Sequence, residues 1–291
     1  MDSNLVFSRL ALIGVGYIGG SAALAGRRAG LVKSVIGYDV DAQAGALARK
    51  RGVVDAMADS PQAAVVDASL VLLAAPVQSL ADLIRCIAGS LAPSATVIDV
   101  GSVKQALVRE ADAALPGGQF VACHPMAGAE HAGVSAADPE IFAGRACFLC
   151  TSERTRAEAT RAATAFWRGL GCQVLTIEPG LHDRLMAAVS HLPHVAAFAL
   201  AASLSDALPL LEASALLGKP TTSLRDTIRI AASSPQVWRD ILLANREHLL
   251  PLVLELEKRV HAIGTAMAEG DASTLEAALA LGQACRQRLM K

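Results

Sequence analysis

Residues 10–20 read LALIGVGYIGG, an apolar run that ends on three closely spaced glycines. This pattern predicts a strand, a tight turn and a helix. Gly14 permits the turn, Gly16 leaves room for a pyrophosphate, and Gly19 lets the helix pack closely on the strand. The N–H groups that begin such a helix can bind phosphate. A second apolar run, SVIGYD, ends on Asp39, whose carboxylate can accept hydrogen bonds from an adenosine ribose. Together the two runs predict a dinucleotide site.

The composition narrows the class of protein. Hydrophobic residues make up 53% of the 291 residues and the formal net charge is −1, so the chain can form a sizeable core and carries no basic excess for nucleic acid. Aromatic residues make up only 3%, which leaves few side chains to stack on bases. Six cysteines at irregular positions are typical of reduced thiols in a cytoplasmic enzyme. We therefore expect a cytoplasmic protein that binds small molecules.

No segment is expected to cross or enter a membrane. The most apolar stretches, at 63–77 and 195–204, are shorter than the roughly 20 residues of a spanning helix, and the first contains Asp67. The N-terminal segment has no basic region and leads straight into the glycine turn, which indicates a strand rather than a signal peptide.

Strand-like and helix-like segments alternate up to about residue 178. The strand-like runs are LALIGVG, SVIGYD, SLVLLAAPV, ATVIDVGS, QFVACHP, ACFLCT and CQVLTIE. Because they are apolar on both faces, they predict a doubly wound, mostly parallel sheet covered by helices. Beyond Pro179 the chain has helical spacing and is rich in Ala and Leu, with breaks at 218–220 and 233–235. We expect an α/β Rossmann domain at 1–179 and an all-α domain at 180–291, whose apolar faces favour pairing of subunits.

Ligands of an open parallel sheet bind beyond the carboxyl ends of its strands, so the residues that follow each strand are candidates for function. Three clusters lie there: small residues at 74–77, a hydroxyl and an amine within 99–104, and HPMAGAE at 124–130. His124 is followed by a proline and a glycine turn, which is a poor place for core packing. An ordinary pKa near 6.5 suits a histidine to proton abstraction.

The helical domain offers two further candidate sites. In SHLPH at 190–194, Pro193 is expected to kink the helix and aim the two histidines apart, which favours one polar substrate contact over a metal site. The other interpretation is one surface and one core histidine. Arg229 lies among apolar residues in the sequence and needs an anion, either Asp226 or a substrate carboxylate. Cys147 and Cys150 form a CxxC pattern, but in a strand they face opposite sides, so no metal ligand is expected.

Taken together, these motifs resemble the prephenate/arogenate (cyclohexadienyl) dehydrogenase family over nearly the whole chain. They are GVGYIGGS at 14–21, DVGSVK at 99–104, HPMAGAE at 124–130, SHLPH at 190–194 and DTIRIAASSPQVWRDI at 226–241. The resemblance implies oxidative decarboxylation of prephenate or arogenate in tyrosine biosynthesis. It also implies a Rossmann domain that binds NAD and a helical domain that joins two subunits into a homodimer.

The same resemblance implies a role for each matching residue. His124 would be the catalytic base, hydrogen-bonded to the hydroxyl of Ser102, and would take the proton of the ring 4-hydroxyl while the hydride leaves for the nicotinamide. The implied substrate contacts are His194, Arg229, Ser190, Glu130, Asp226 and Trp238. The implied cofactor contacts are Gly14, Gly16, Tyr17, Ile18, Gly19, Asp39, Ala75, Pro76 and Ser102.

Two other classes stay open at this point. An oxidoreductase for a small hydroxy acid or imine would share both domains but would not need SHLPH or the motif around Arg229. A non-catalytic dinucleotide sensor would keep the glycine turn and Asp39, yet it has no reason to place His124 beside a nicotinamide. The sequence also leaves the choice between prephenate and arogenate open.

Overall fold

Eight strands form one sheet in the first part of the chain. A computed structural model describes residues 6–128, 133–207 and 221–290. The strands are β1 (Leu10–Ile13), β2 (Val35–Tyr38), β3 (Ala56–Met57), β4 (Leu70–Leu73), β5 (Thr96–Asp99), β6 (Phe120–Pro125), β7 (Ala146–Cys150) and β8 (Gln173–Thr176). Their order in the sheet is β3-β2-β1-β4-β5-β6-β7-β8. Seven are the predicted runs, whereas β3 is a two-residue edge strand too short to leave a pattern in the sequence.

The sheet carries a hydrophobic core on each face. Leu10 and Leu12 of β1 belong to the core on one side, and Ala11 and Ile13 belong to the core on the other. Burial on both faces is why the strands are continuous apolar runs rather than alternating ones. The covering helices are α1 (Tyr17–Arg28), α2 (Ala42–Lys50), α3 (Pro61–Val65), α4 (Leu80–Ile87), α5 (Gln105–Ala114) and α6 (Ala157–Gly169).

The last two strands run against the others. Strands β1 to β6 are parallel, but β7 pairs antiparallel with β6, so that His124 lies opposite Phe148, and β8 then pairs parallel with β7. Between β6 and β7 the described residues contain only one 3₁₀ turn, at Val134–Ala136, where a parallel partner would need a longer crossover. The sheet is therefore mostly parallel, as predicted.

The described residues after β8 contain helices and no strand. These helices are α7 (Pro179–Met186), α8 (Leu192–Ser203), α9 (Thr222–Ile228), α10 (Pro235–Ala244), α11 (Arg246–Glu269) and α12 (Ala272–Leu289). Ser234 caps α10, because its hydroxyl accepts a hydrogen bond from the N–H of Val237, so the predicted break at 233–235 is confirmed. The predicted break at 218–220 lies outside the described residues.

The α7 and α8 helices are joined by a π-helical segment, Ala187–His191, into one helix. That helix, Pro179–Ser203, has 25 residues and a mean hydropathy of 1.6 over its most apolar window, so by length and composition it could cross a membrane. The expectation that no segment reaches spanning length is therefore wrong, because the helix continues through Pro193. Its buried residues His182 and Asp183 make hydrogen bonds that join it to the sheet domain, and 22% of its most apolar window is buried.

The six cysteines are all free, and their exposure differs. Cys86 on α4 and Cys285 on α12 are exposed, whereas the other four are buried. Cys147 and Cys150 belong to the cores on opposite faces of the sheet, as predicted for residues three apart in a strand.

Much of the helical domain is not covered within one chain. Helix α12 has no buried residue, and α11 buries only Leu249 and Ala266. The exposed apolar side chains of these two helices are Leu250, Leu254, Val260, Met267, Leu279, Leu281 and Leu289. Exposed apolar area on this scale marks a surface for association.

Candidate active site

The glycine turn after β1 has the geometry of a phosphate-binding loop. Gly14 has a φ of +93°, and a side chain there would place its Cβ 2.4 Å from the carbonyl oxygen of Ala74. A Cβ on Gly19 would lie 2.4 Å from the carbonyl oxygen of Gly14, so the close packing of α1 requires a glycine. A Cβ on Gly16 would meet nothing within 4 Å. The space over Gly16 is therefore open to a ligand.

Helix α1 begins next to this open space. Gly16 is its N-cap, no side chain caps it, and its first turn carries no acidic residue, so its N–H groups are available to an anion. Tyr17 and Ile18 are its first residues, and burial together with the nearby Asp138 raises the pKa of Tyr17. Asp39, just after β2, accepts a hydrogen bond from the N–H of Val15 at 2.8 Å and so braces the turn.

A cavity of about 700 Å³ lies between the sheet and the helical domain. This is the size of a small-molecule site. From the sheet side it is lined by Ile18, Val100, Ser102, His124, Pro125, Met126, Ala127 and Gly128. From the helical side it is lined by Ser190, His194, Arg229, Ile230, Ser233, Val237, Trp238 and Ile241. Seven of the predicted site residues therefore share one cavity.

His124, at the end of β6, is held by a second histidine. Its Nδ1 lies 2.9 Å from Nε2 of His182, and Nδ1 of His182 lies 2.8 Å from Oδ1 of Asp183. Ser102 lines the cavity with His124, but the hydrogen bonds among the described residues do not join the two. The described partner of His124 is therefore His182 rather than the expected Ser102, because α7 brings the ring of His182 to Nδ1 of His124.

Asp183 is an ionised anchor between the two domains. Its carboxylate accepts hydrogen bonds from the N–H groups of Lys104 and Gln105, both at 2.8 Å, where α5 begins. Burial would raise the pKa of Asp183, but hydrogen bonds from His182, Gln105 and Lys104 outweigh it and lower the pKa. Burial, reinforced by His182, Lys104 and His191, holds the pKa of His124 well below its ordinary value. His124 is therefore neutral at pH 7.

The amine in the cluster at 99–104 is not available to a ligand. Lys104 is fully buried and pairs with Asp99, and its ammonium also donates to the carbonyl oxygen of Cys123 at 2.9 Å. Asp99 in turn accepts the N–H of Cys123 at 2.8 Å. This buried pair fixes the ends of β5 and β6 one residue before His124, which is a structural role.

The two histidines of SHLPH have different surroundings. His194 lines the cavity and stacks on Trp238, with ring centroids 3.5 Å apart and planes 20° apart. Its Nδ1 donates to the carbonyl oxygen of Ser190 at 2.9 Å, and burial lowers its pKa. His191 is buried against Asn245, and burial lowers the pKa of His191 to about 4. One histidine is thus in the cavity and the other is in the core.

Arg229 begins a 3₁₀ turn, Arg229–Ala232, and lines the cavity. Apolar residues flank it in the sequence, as noted above, but Arg229 itself is exposed at the cavity wall. Oδ1 of Asp226 lies 3.9 Å from Nε of Arg225, and Asp226 does not line the cavity. Glu130 lies outside the described residues.

Sequence reasoning missed His182, Asp183 and Asn245. Asn245 donates to the carbonyl oxygen of Asp183 at 2.8 Å and to Nδ1 of His191 at 3.0 Å. The one local signal is a polar His-Asp pair in an otherwise apolar stretch. Nothing in this pair of residues indicates that His182 would contact His124, which is 58 positions away.

Comparisons with known proteins agree with this geometry. Family models for the prephenate dehydrogenase nucleotide-binding and dimerization domains match residues 22–176 and 178–281. A prephenate dehydrogenase of Bacillus subtilis is 34% identical over 277 residues, 94% of this chain and 73% of that protein. A cyclohexadienyl dehydrogenase of Zymomonas mobilis is 33% identical over 275 residues, 93% of this chain and 92% of that protein.

A solved structure matches over almost its full length. The crystal structure of prephenate dehydrogenase from A. aeolicus, in complex with hydroxyphenyl propionate and NAD+, superposes with a TM-score of 0.84 at 29% identity, covering 98% of this chain and 99% of that one. Both domains, the cavity between them and these relatives lead to one conclusion. The chain belongs to the prephenate dehydrogenase family.

Proposed function

We propose that this chain catalyses the NAD-dependent oxidative decarboxylation of prephenate to 4-hydroxyphenylpyruvate. The observation that carries the proposal is the shared cavity, which joins His124 of the sheet to Arg229, His194 and Trp238 of the helical domain beside Ile18 of α1. The crystal structure of the A. aeolicus relative, which is a complex with hydroxyphenyl propionate and NAD+, supports this choice of substrate and cofactor. A hydroxy-acid or imine oxidoreductase has less support, since the matched family is a different one.

The residues of the glycine turn fit a dinucleotide. Gly16 and the uncapped start of α1 would hold the pyrophosphate, and Asp39 would accept hydrogen bonds from the adenosine ribose. Ala75 and Pro76 follow β4, and with Ser102 they would border the nicotinamide end. When bound, NAD accepts the hydride from C4 of the substrate ring. A 2′-phosphate would meet the carboxylate of Asp39, so we expect NAD to be preferred to NADP.

His124 is suited to be the base for this reaction. Its Nδ1 is engaged with His182, which leaves Nε2 to take the proton of the 4-hydroxyl as C4 loses its hydride. The C1–carboxylate bond then breaks, its electrons complete the aromatic ring, and the phenol oxygen takes a proton back. A neutral imidazole is required at the first step, in keeping with the lowered pKa of His124.

The helical side of the cavity would hold the substrate. Prephenate carries two carboxylates, and a guanidinium such as that of Arg229 can meet a carboxylate through two parallel hydrogen bonds. His194, held flat on Trp238 and tied to Ser190, offers a polar edge to the same space. We further propose that the chain is cytoplasmic, with the domain boundary between 179 and 180, and that two copies pair through the helical domain.

The direct test is a steady-state assay of the purified chain with prephenate and arogenate, each with NAD and with NADP. We expect NADH formation with prephenate and NAD at the highest kcat/KM. Turnover of neither substrate would contradict the proposal, and a higher kcat/KM for arogenate would assign the amino analogue instead. Equal efficiency with both cofactors would contradict the role of Asp39.

Substitution of the base tests the mechanism. We expect His124→Asn to lower kcat by roughly a hundredfold or more, with NAD affinity nearly unchanged, because the variant lacks a group that can take the proton. The acidic limb of the pH profile should disappear with it. Near-normal turnover would mean that proton abstraction belongs to another group.

A further inference from the structure

The hydrogen-bond chain behind His124 contains two residues that line neither the cavity nor the glycine turn. His182 and Asp183 are adjacent on α7, and both are buried. The chain runs from Nδ1 of His124 to Nε2 of His182 at 2.9 Å, and from Nδ1 of His182 to Asp183 at 2.8 Å. Both distances are those of ordinary hydrogen bonds.

The direction of each hydrogen bond follows from the carboxylate end. An ionised carboxylate only accepts, and that of Asp183 already accepts two backbone N–H groups, so Nδ1 of His182 must carry the proton of their shared bond. His182 is fully buried with its ring against Phe148, at 5.6 Å between centroids, where a second ring proton would bury a further charge. Nε2 of His182 is then an acceptor.

An acceptor at Nε2 of His182 requires a donor at Nδ1 of His124. A neutral imidazole carries one proton, so a proton on Nδ1 leaves a lone pair on Nε2 of His124. We infer that Asp183 and His182 are positioning residues that fix His124 in the tautomer whose Nε2 is basic. This inference rests on the proposed role of His124 as the base.

Burial disfavours the imidazolium that forms on His124 during the reaction, and the negative charge of Asp183 offsets part of that cost. After His124 takes a proton, its Nδ1–H still donates to His182, and the charge of Asp183 lies one ring away. The other ionisable groups packed around these rings are Lys104, which is neutralised by Asp99, together with His191 and Cys150. Among the residues that the structure describes, Asp183 is therefore the one carboxylate that hydrogen-bonds to either of these two rings.

The hydrogen-bond chain behind His124 also depends on contact between the two domains. His182 and Asp183 belong to the first helix of the helical domain, whereas His124 and the N–H groups of Lys104 and Gln105 belong to the sheet domain. Separation of α7 from the sheet domain would break the bonds at both ends of this hydrogen-bond chain and release His124 from its tautomer.

The first test compares two substitutions of His182. His182→Gln keeps a hydrogen-bond acceptor that can face His124, whereas His182→Leu fills a similar volume without one. We expect His182→Leu to lower kcat by roughly a hundredfold with little change in KM, and His182→Gln to recover at least a tenth of the wild-type kcat. His248→Gln is the matched control, because His248 bonds Gln105 across the same domain contact at 3.0 Å but does not touch the chain.

Thermal melts and NAD titrations of each variant separate this role from a structural one. If His182 had a merely structural role, His182→Leu and His182→Gln would lower kcat equally, in proportion to the melting temperature that each variant loses. That outcome would overturn the inference. The pH profile gives a second readout, because loss of the anion's support should move its acidic limb to a different pH in His182→Leu but not in His248→Gln.

The tautomer itself can be read without any turnover. In protein labelled with ¹⁵N-histidine, the signal that disappears in His124→Asn identifies this ring, and its two nitrogen shifts report which one carries the proton. We expect Nδ1–H in the wild type and a shift towards Nε2–H in His182→Leu. Nε2–H in the wild type would overturn the inference even if prephenate is the substrate. Failure of the wild type to oxidise prephenate would instead overturn the proposed function alone.

Discussion

At the scale of single residues, burial decides which histidines can act. His191 and His182 are almost fully buried and serve as hydrogen-bond partners, whereas His124 and His194 border the cavity. All four lie within two segments of chain that the fold brings together. Which nitrogen of each ring can react therefore depends on which one already makes a hydrogen bond to a neighbour.

Arg229 provides a test of substrate binding at this scale. We expect Arg229→Lys to raise the KM for prephenate by roughly tenfold or more with a smaller effect on kcat, because lysine cannot donate two parallel hydrogen bonds to a carboxylate. Arg229→Ala should raise it further. Arg225→Lys, an exposed arginine on the preceding helix and outside the cavity wall, is the control. A sharp loss of melting temperature with unchanged KM would assign Arg229 to stability instead.

The buried His191 predicts how stability depends on pH. Its pKa is about 4 in the folded chain, below an ordinary value near 6.5, so between these pH values the unfolded chain binds a proton that the folded chain does not. The free energy of unfolding should therefore fall as pH drops from about 6.5 to about 4, with at most roughly 3 kcal/mol from this residue. Denaturant titrations across this range should show a shallower fall in His191→Gln. The exposed His261 gives the control variant, His261→Gln, and equal slopes in both variants would contradict the assignment.

At the scale of elements, two glycines of the turn after β1 have different roles, since Gly19 is needed for folding and Gly16 for binding. We expect Gly19→Ala to destabilise the chain, because its Cβ would lie 2.4 Å from a backbone oxygen that cannot move freely. Gly16→Ala should fold normally, since nothing lies within 4 Å of the added carbon, and yet weaken NAD because that space is needed by the ligand. Melting temperatures and NAD titrations of the pair would measure this. Equal NAD affinity of Gly16→Ala and the wild type would place the phosphates elsewhere.

Local patterns predicted the elements better than the contacts between them. The seven strands and the turn at Gly14 follow from apolar runs and glycine spacing, which act over a few residues. The reversed direction of β7 and β8 depends on how the chain returns after β6, and no periodicity records that. The contact of His182 with His124 likewise depends on how α7 docks on the sheet. The family motifs identified the cavity residues, but they carried no information on the buried residues behind them.

At the scale of the whole molecule, the exposed apolar helices predict a second copy. The matched domain model is that of a dimerization domain, and α12 buries none of its 18 residues within one chain. One chain has a mass of 30.0 kDa, and we expect analytical ultracentrifugation to show a species of about twice that mass. Leu279→Glu, at a side chain 59% exposed on α12, should shift it towards the monomer because a carboxylate would be buried in the interface.

Val66→Glu is the control for this substitution. Val66 is 47% exposed but lies in the sheet domain, so a charge there should leave the sedimentation unchanged. A wild-type chain that sediments as a monomer at micromolar concentration would contradict the pairing of subunits.

Because two of the six thiols are exposed and four are buried, fluorescent dyes can be attached to the exposed two. The exposed thiols are those of Cys86, on α4 of the sheet domain, and Cys285, on α12 of the helical domain. In the Leu279→Glu variant, whose α12 is expected to lack a partner, a donor dye and an acceptor dye attached to these native thiols would convert any change in the distance between the domains into a change in energy transfer. Whether substrate shortens this distance could thus be followed in real time without adding a cysteine.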